Sequence, residues 1–367
     1  MKRIFQIFPS AMFWGGAEQF VLNLSRRLAD DGQSVIFVSR KSKVVAEHIA
    51  GVGDEHITLP MQNGANIFAI AALARHIKRL KPDVIHIHQF KELAAASLAV
   101  WLSRLFGNRK RPRIIVTRHL VRKDRRGFIN ELLYQCADRI VFVSEFARRE
   151  FLSSNPPVDA AKTIVIRNAV PDASPTLMYP NIRDQFGINE DTPIILFCGR
   201  LCEEKGVHIL MKACKVLHKH KFALVVVGTG DEAYTEKLHV AVETTHLRDK
   251  VFFYGFSDDV PAIMRQADIV VAPSVVSEAG SLVILEAMQA GVPVVTTDGG
   301  SQSEYISHGE TGLLVPPSDY TALASALARL LDDKESRTQM AASTIKRYHT
   351  EFSYDSFYKK YFEIYGE

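Results

Sequence analysis

Two glutamates lie eight positions apart in the segment SEAGSLVILEAMQAG, residues 277–291, where an apolar run gives way to a helical pattern. The start of a helix offers free backbone N–H groups and favours an anion, so the amides of residues 279–282 can face a phosphate or a sugar. Glu278, still in the loop, could accept hydrogen bonds from a sugar ring, and Glu286 could bind both hydroxyls of a ribose. A nucleotide diphosphate sugar carries this anion and these hydroxyls in one molecule.

Two cations lie in the turn GRLCEEKG, residues 199–206, after the first apolar run of the second half. The Arg200 guanidinium is a fork that fits phosphate oxygens and the Lys205 ammonium is a mobile point charge, so together they could hold a diphosphate. From this turn alone, a surface salt bridge is an equally good interpretation. The chain has no Walker A motif and no Asp-x-Asp pair, so we expect cations and helix starts, and no divalent metal ion, to neutralise the phosphates.

A glycine-rich run, VVVGTGDEA at residues 225–233, matches the GxGxxA dinucleotide-binding motif behind a strand. The motif requires an acidic residue about 20 positions later, at the end of a second strand. Glu243 is only roughly in register and lies in a helical pattern. Structural glycines at a strand-to-helix turn are therefore the preferred interpretation, and a nicotinamide-dependent sugar-nucleotide oxidoreductase is the alternative enzyme.

The first half contributes its own candidates just after apolar runs, where ligands bind in parallel sheets. Gly15 and Gly16 lead directly into a helix, so their amides could approach a phosphate. His119 follows the run RIIV; a lone histidine is usually structural, but this position makes His119 a candidate for a functional role. His86 and His88 share one strand face with no third ligand nearby in sequence, so we expect core or cleft positions and no metal site.

A basic stretch at residues 109–126 carries nine cations and one acid. It predicts a surface for anionic lipid headgroups, a phosphorylated acceptor or nucleic acid, and a solvated loop without a partner is the alternative. The stretch lacks the interleaved aromatic residues of single-stranded nucleic-acid sites, so no nucleic acid is expected. The nine cations are Arg109, Lys110, Arg111, Arg113, Arg118, Arg122, Lys123, Arg125 and Arg126.

The charge is divided unevenly between the two halves. Residues 1–170 contain 27 Lys and Arg against 14 Asp and Glu, whereas residues 171–367 contain 18 against 27. The net charge of +4 therefore conceals a basic first half and an acidic second half. We expect the two halves to bind different partners.

Short apolar runs alternate with longer amphipathic segments along all 367 residues, which predicts βαβ units around parallel sheets. A proline-rich segment near residues 170–190 interrupts the alternation. We therefore predict an α/β protein of two Rossmann-like domains, residues 1–172 and 185–349, with an aromatic-rich C-terminal helix at 350–367 that packs back on the first domain. The predicted strands are residues 3–8, 34–39, 83–88, 113–117, 139–144, 193–199, 222–228, 250–255, 268–274, 293–297 and 312–315.

The compartment is predicted from two negative observations. The four cysteines form no CxxC pair and have no matched histidine spacing, so neither a disulfide framework nor a zinc site is expected. The apolar N-terminus is interrupted by Pro9 and Trp14, which leaves it too short for a membrane span. A cytoplasmic protein is the expectation.

The motifs together resemble the retaining GT-B glycosyltransferases of family four. In chain order from residue 15 to residue 315 they are GGAEQF, HIH, TRH, VSE, RNAV, GRLCEEKG, VGTGDE, YGF, PS with SEAGSLVILEAMQAGVPVV, and GGSQSEYI with GETGLLV. The resemblance implies a GT-B fold, two Rossmann-like domains facing a central cleft. The N-terminal domain would take the acceptor and the C-terminal domain the nucleotide-sugar donor.

The resemblance also implies roles for individual residues. Arg200 and Lys205 would stabilise the departing diphosphate, Glu278 would orient the transferred sugar, and His119 would lie beside it; these four are the expected catalytic residues. Gly16 would bind the diphosphate through its amide, and Glu286 the ribose. The remaining expected donor-binding residues are Gly15, Gly228, Gly255, Phe256, Ala279, Gly280, Ser281 and Leu282.

One motif departs from the family's pattern. Members commonly have Glu-Gly-Phe-Gly at the first glutamate, whereas this chain has Glu278-Ala279-Gly280-Ser281. A similar Glu-Ala-Ala-Gly occurs in some bacterial lipopolysaccharide core glucosyltransferases. The resemblance thus implies a bacterial lipopolysaccharide or polysaccharide enzyme that uses a UDP-sugar, a glycan or lipid-linked acceptor and no cofactor, and that associates peripherally with the anionic inner face of the plasma membrane. A non-catalytic nucleotide-sugar binding protein is the alternative outside enzymes.

Overall fold

The computed structural model describes residues 1–8, 14–61, 66–108, 110–123, 127–172 and 181–366. It divides the chain into two compact units. The first consists of Met1–Asn168 and the C-terminal residues from Asp355 onward, and the second of Ala169–Tyr354. Within the described ranges, no helix combines the length and the apolar character that a membrane crossing needs.

The first unit is built on a seven-stranded parallel sheet in the order β3-β2-β1-β4-β5-β6-β7. The order reverses between β1 and β4, which marks the point where open α/β sheets bind ligands. The strands are β1 (Arg3–Ile7), β2 (Ser34–Ser39), β3 (Glu55–Thr58), β4 (Val84–Ile87), β5 (Arg113–Arg118), β6 (Arg139–Phe142) and β7 (Thr163–Val165). The helices are α1 (Gly16–Asp30), α2 (Lys43–His48), α3 (Ile67–Leu80), α4 (Glu92–Leu105), α5 (Phe128–Cys136) and α6 (Glu145–Ser153).

The second unit is built on a six-stranded parallel sheet in the order β10-β9-β8-β11-β12-β13. Its strands are β8 (Ile194–Cys198), β9 (Ala223–Val227), β10 (Val251–Gly255), β11 (Ile269–Ala272), β12 (Val294–Thr297) and β13 (Gly312–Val315). Its helices are α7 (Ile182–Phe186), α8 (Val207–Val216), α9 (Glu232–Glu243), α10 (Val260–Met264), α11 (Leu282–Gln289), α12 (Gln302–Tyr305), α13 (Tyr320–Asp332) and α14 (Lys334–Glu351). Both faces of this sheet are covered by buried aliphatic side chains, as the continuous apolar runs of its strands require.

The prediction of two Rossmann-like α/β domains is confirmed, but two strands of the first sheet were not predicted. β3 and β7 are the edge strands of that sheet, and only part of each is buried. An edge strand needs no continuous apolar run, so the sequences EHIT and TIV gave no signal. The six strands of the second sheet match the six predicted runs.

The C-terminal helix begins later than the predicted residue 350. Residues 350 and 351 end α14, and the last helix, α15, runs from Tyr354 to Gly366. It belongs to the first unit, where Tyr361 is fully buried and its ring packs against Phe20 of α1. Arg27 of α1 also pairs with Asp355 at an N–O distance of 2.6 Å.

Residues 169–172, which the sequence analysis included in the first domain, are grouped with the second unit. The Tyr348 hydroxyl of α14 donates a 2.7 Å hydrogen bond to the Val170 carbonyl. The Gln289 amide of α11 donates to the Pro171 carbonyl at 2.9 Å and to the Tyr348 hydroxyl at 2.9 Å. These bonds attach the segment to α11, which carries Glu286, and to α14, which packs against α11.

Candidate functional site

The second sheet brings the turn after β8 next to the loop after β11, because these strands are neighbours at the switch point of the strand order. Lys205 Nζ lies 2.5 Å from Glu278 Oε1, and the Ser274 hydroxyl donates to the same oxygen. The Glu278 side chain is 11% exposed and the Lys205 side chain 36%. Among the described residues no side chain donates to Glu278 Oε2, so this oxygen can accept a hydrogen bond from a ligand.

Close backbone packing holds this cluster together. Gly206 has φ +72°, and a Cβ there would lie 2.0 Å from the Pro273 carbonyl oxygen. Gly300, after β12, lies so close to the Glu278 backbone that a Cβ would be 2.6 Å from the Glu278 amide nitrogen. Loops from three strands therefore fix the backbone on both sides of the Lys205–Glu278 pair, and only glycine fits at two of the contacts.

Arg200 lies in the same turn but is held loosely. Its guanidinium is 3.4 Å from Glu204, and the two side chains are 53% and 61% exposed. An exposed pair of this kind contributes little stability and is readily exchanged for another anion. The Arg200 fork can therefore turn to a phosphate at small cost.

Helix α11 starts beside this pair without a side-chain cap. Ser281 is the N-cap residue, yet its hydroxyl accepts no hydrogen bond from the first turn. Ala279 and Ser281 are buried, while Gly280 and Leu282 are half-buried. The first amides of the helix thus lack the partner that a capping side chain usually supplies, which is the arrangement of a helix start that binds an anion.

Glu286 lies one turn after Leu282 on α11. Burial raises the pKa of its carboxyl from 4.5 to about 7. Its charge and burial both raise the pKa of the Cys198 thiol at the end of β8, which indicates that the two side chains are close. Among the described residues no ion pair or hydrogen bond satisfies the Glu286 side chain, so a half-buried acid is left ready for a ligand with hydroxyl donors.

The glycine-rich run has a structural explanation. A Cβ on Gly228 would lie 2.0 Å from the Gly199 carbonyl oxygen, and one on Gly230 would lie 1.9 Å from the Leu201 carbonyl oxygen. The run therefore packs against the turn that carries Arg200. Glu243 is the last residue of α9 and pairs with Arg248, so it is not the acid that a dinucleotide site requires.

The remaining donor candidates of this unit follow β10, at one edge of the sheet. Gly255 ends the strand with φ +85° and open space around it. Phe256 is 51% exposed, an unusual position for an aromatic side chain. Its ring is available for stacking.

In the first unit, α1 begins at Gly16 with Gly15 as the N-cap residue in extended backbone conformation. Neither its dihedral angles nor a close contact with fixed atoms requires glycine at position 15, because a Cβ would meet only the flexible Glu18 carboxylate, at 3.3 Å. The close approach of a ligand would explain a glycine at this position.

His119 follows β5 and joins a chain of buried polar groups. Its Nε2 lies 3.2 Å from His88 Nδ1, and His88 Nε2 lies 2.8 Å from the Gln6 side-chain oxygen. Burial lowers the pKa of His119 to about 4 and that of His88 well below its usual value, so both rings are neutral. With the Gln6 oxygen accepting from His88, His119 donates to His88 and keeps its Nδ1 lone pair for another partner.

His86 has a structural role in the described unit. Its two ring nitrogens lie 2.7 Å from the hydroxyls of Tyr365 and Thr117. The Thr117 hydroxyl also lies 3.1 Å from that of Tyr361. His86 therefore connects the sheet to α15.

The basic stretch is not one continuous surface, because β5 runs through its middle. Lys110 and Arg111 precede the strand and pair with Asp83 and Asp138 at 2.5 Å and 2.9 Å. Arg122 and Lys123 follow it at the opposite edge of the sheet, roughly 20 Å away for a six-residue strand. The described cations before and after β5 therefore do not form one continuous patch.

Arg118 must be removed from the predicted patch. It is 6% exposed, and its guanidinium lies 4.6 Å above the Phe151 ring and donates to the Arg122 carbonyl at 3.2 Å. Arg113 is half-buried in the strand. Arg109, Arg125 and Arg126 lie outside the described residues.

Three residues beside the expected site residues were given no functional role by the sequence. Ser274 donates to Glu278, His88 contacts His119, and Gln6 contacts His88. Ser274 precedes Glu278 by four positions after β11, which is a weak signal. The Gln6 contact has no sequence signal, since 82 residues separate it from His88.

Two family models match successive parts of the chain. The one described as Glycosyltransferase Family 4 matches residues 14–174, and the one described as Glycosyl transferases group 1 matches residues 178–347.

Two individual relatives are likewise named as a glycosyltransferase and a mannosyltransferase. An uncharacterized glycosyltransferase of Methanocaldococcus jannaschii is 35% identical over 189 residues, 50% of this chain and 47% of that protein, so the match spans about half of that relative. The phosphatidyl-myo-inositol mannosyltransferase of Mycobacterium leprae is 29% identical over 91% of this chain and 89% of its own. Anabaena HepE in complex with UDP and glucose superimposes with a TM-score of 0.84 at 20% identity over 100% of both chains. The last likeness shows the shared fold.

Proposed function

Because the chain is a glycosyltransferase of the GT-B fold, with a family 4 half followed by a group 1 half, we propose that it transfers a sugar from a nucleotide diphosphate sugar with retention of the anomeric configuration. The observation that carries the proposal is the Lys205–Glu278–Ser274 cluster beside the uncapped start of α11, with Glu286 one turn further on. Cation, amides and carboxylates match the diphosphate, sugar and ribose of such a donor. The HepE complex with UDP supports UDP as the nucleotide.

The chemistry of this site is leaving-group stabilisation. The bond between the sugar C1 and the diphosphate oxygen breaks, and its electron pair goes to the diphosphate. The acceptor oxygen forms the new bond to C1 on the same face, and its proton passes to the departing phosphate oxygen. Arg200 and Lys205 hold the diphosphate, and the charge that develops there is the main target for catalysis.

Binding of the donor exchanges partners at Glu278. Lys205 now pairs with Glu278 Oε1, and a diphosphate attracts the same ammonium. The Ser274 hydroxyl keeps its bond to the carboxylate, while the other oxygen, Oε2, accepts a hydroxyl of the sugar. Glu278 therefore orients the sugar and is not itself the nucleophile in this proposal.

The first unit supplies the other proposed contacts. The neutral His119 accepts a hydrogen bond from a sugar hydroxyl through Nδ1, and the amide of Gly16 binds the diphosphate. Phe256, in the second unit, offers a ring to the base. No cofactor or metal ion takes part, since two cations and a helix start carry the charge neutralisation.

We propose a glycan or a lipid-linked molecule of the bacterial envelope, in lipopolysaccharide or polysaccharide synthesis, as the acceptor. The Glu278–Ser281 variant of the motif and the mannosyltransferase relative, whose name specifies a lipid acceptor, support this class. The reaction would take place at the cytoplasmic face of an anionic membrane, where the basic first half of the chain is attracted.

Calorimetric titration with UDP, GDP and ADP, each with and without EDTA, tests the donor site. We expect selective binding of UDP that is unchanged by EDTA. Binding that EDTA abolishes would refute the metal-free site, and reduction of a nicotinamide in the presence of a sugar nucleotide would revive the oxidoreductase. Release of UDP from a UDP-sugar separates an enzyme from a silent binding protein.

A further inference from the structure

The first unit exposes a set of large apolar side chains on α4, on α5 and in the loop before α5. Their exposed fractions run from 46% for Leu132 to 75% for Phe128. α4 and α5 contact each other. We name this set the apolar ridge, and it consists of Leu98, Trp101, Leu105, Phe106, Leu120, Phe128, Ile129 and Leu132.

The spacing shows that the ridge is a helix face and not scattered exposure. Leu98, Trp101 and Leu105 recur at intervals of three and four residues, which puts them on one side of α4. The opposite side of the same helix is buried against the sheet, with Leu93 and Ala96 fully inaccessible. A helix that is apolar on both sides faces either a protein core or an apolar phase outside the protein.

The charges around the ridge are basic. Arg104 is exposed on α4 beside Trp101 and Leu105, and the exposed Arg122 and Lys123 precede α5. Lys123 pairs with Glu150 at 3.5 Å and remains 63% exposed. Glu131 is an exposed acid on α5. Aromatic and aliphatic side chains flanked by Arg and Lys are the composition of helices that lie in the headgroup region of an anionic bilayer.

We infer that the apolar ridge docks this chain on an anionic lipid bilayer, with its apolar side chains inserted below the headgroups. The inference deepens the proposed function, on which it rests, because Leu120 directly follows His119. A lipid-linked acceptor in the bilayer would then lie next to the proposed sugar contact. A second copy of this chain is a poorer occupant, since a two-fold contact through the ridge would bring the same cations together.

The ridge changes the salt dependence expected for membrane association. A purely basic patch would release the protein at high salt, because exposed charges are screened over about 10 Å at 0.1 M salt. Inserted apolar side chains do not depend on salt in this way. Binding should therefore weaken when salt is added and persist in part.

Vesicle flotation with the full chain tests this surface. The probe is a vesicle of equal amounts of phosphatidylcholine and phosphatidylglycerol, with pure phosphatidylcholine beside it. Trp101→Glu combined with Phe128→Glu should lower the partition coefficient by about tenfold or more, because two inserted aromatic rings are lost. Arg122→Gln combined with Lys123→Gln should remove the salt-sensitive part of vesicle binding and leave the salt-insensitive part unchanged.

A matched control is Val216→Glu combined with Val240→Glu, which changes two valines of the second unit that are 52% and 51% exposed. This variant should float like the wild type. Equal flotation of the Trp101/Phe128 variant, absence of wild-type flotation, or a concentration-dependent dimer that this variant abolishes would overturn the proposal. UDP binding measured without vesicles distinguishes failure of the donor-site proposal from failure of the membrane-docking proposal. We expect UDP affinity to be unchanged in every variant. Absence of UDP binding in the wild type would refute only the donor site.

Discussion

At the scale of single residues, the buried carboxylate of Glu286 destabilises the free protein, and a bound donor would remove this destabilisation. Burial raises the pKa of its carboxyl to about 7, and no side chain in the described residues compensates for the lost hydration. Two ribose hydroxyls would donate to the carboxylate and lower that pKa again. Binding of the donor near pH 7 would then release a proton.

Glu286→Gln should stabilise the free protein at high pH. The folded-state pKa of about 7 lies above the ordinary value of 4.5, so this group's contribution to stability is fully present below pH 4.5 and is lost as the pH rises through 7. The variant lacks this loss, and its Tm should exceed that of the wild type by about 2 °C or more at pH 8, with little difference at pH 5. Scanning calorimetry at both pH values measures the effect.

The same variant should bind UDP about tenfold more weakly or worse, because a neutral amide replaces a charged acceptor. Glu243→Gln, which changes an exposed acid of the same unit, is the control for both measurements. A wild-type UDP affinity in Glu286→Gln would contradict the ribose contact.

The histidines after β4 and β5 show how buried neighbours set the tautomer of His119. The Gln6 oxygen accepts from His88 Nε2–H, so His88 Nδ1 accepts a hydrogen bond from His119 Nε2–H. A histidine at the surface would be partly charged near pH 6.5, whereas His119 stays neutral down to about pH 4. A neutral ring can accept a hydrogen bond throughout the physiological range.

At the scale of the elements, the turn after β8 requires glycine at position 206 for two reasons, its backbone conformation and a close contact. Gly206 ends the 3-10 turn Glu203–Lys205 and begins α8, with its φ in the left-handed region. The Pro273 carbonyl lies where a Cβ would stand. The position of the Lys205 ammonium therefore depends on the contact between this turn and the loop that carries Glu278.

Gly206→Ala should disrupt the donor site and destabilise the second unit. Gly187→Ala is a matched control, because Gly187 has φ +65° in the same unit and nothing within 4 Å of a Cβ. Both variants strain a left-handed backbone, by about 1–2 kcal/mol, but only Gly206→Ala adds a clash with a carbonyl oxygen. We expect it to cost about 1–3 kcal/mol more in chemical denaturation and to weaken UDP binding. Equal losses in the two variants would show that the close contact is unimportant.

Strand β5 illustrates how an element redistributes residues that are neighbours in sequence. The cations of residues 109–126 look like one patch when the chain is read as a line. A buried strand in the middle sends Lys110 and Arg111 to one edge of the sheet and Arg122 and Lys123 to the other. Arg118, inside the strand, turns inward onto aromatic rings.

At the scale of the whole molecule, the chain leaves the first unit, builds the second, and returns to the first with α15. Tyr361 and Tyr365 of this helix reach Thr117 and His86 in the first sheet. The first unit therefore cannot be complete until α15 has been made.

Tyr361→Ala should destabilise the first unit by about 3–5 kcal/mol, because it removes a fully buried aromatic side chain and a hydrogen bond to Thr117. Both tryptophans of the chain, Trp14 and Trp101, lie in this unit, so tryptophan fluorescence during denaturation reports on it directly. Tyr320→Ala, at a tyrosine that is 42% exposed in the second unit, should leave that transition unchanged. An unaltered fluorescence midpoint in Tyr361→Ala would mean that α15 contributes little to the first unit.

The sequence by itself determined the architecture and located the residues of the proposed donor site along the chain. Short apolar runs that alternate with amphipathic helical segments are typical of strands buried on both faces, which predicted two parallel sheets. The residues just after such strands lie at one edge of the sheet. Arg200, Lys205, Glu278 and Glu286 could therefore be selected before any contact was known. Edge strands β3 and β7 lacked this signal because water covers part of them.

The tertiary structure alone decided which distant groups meet. The bond of Lys205 to Glu278 and that of Gln6 to His88, which in turn contacts His119, depend on how strands are ordered in the sheet. No local sequence pattern specifies strand order. The same holds for surfaces: the division of the basic stretch and the assembly of the apolar ridge follow from the direction of β5 and the packing of α4 beside α5. Local sequence fixes what a residue can do, and long-range packing fixes the partner with which it does it.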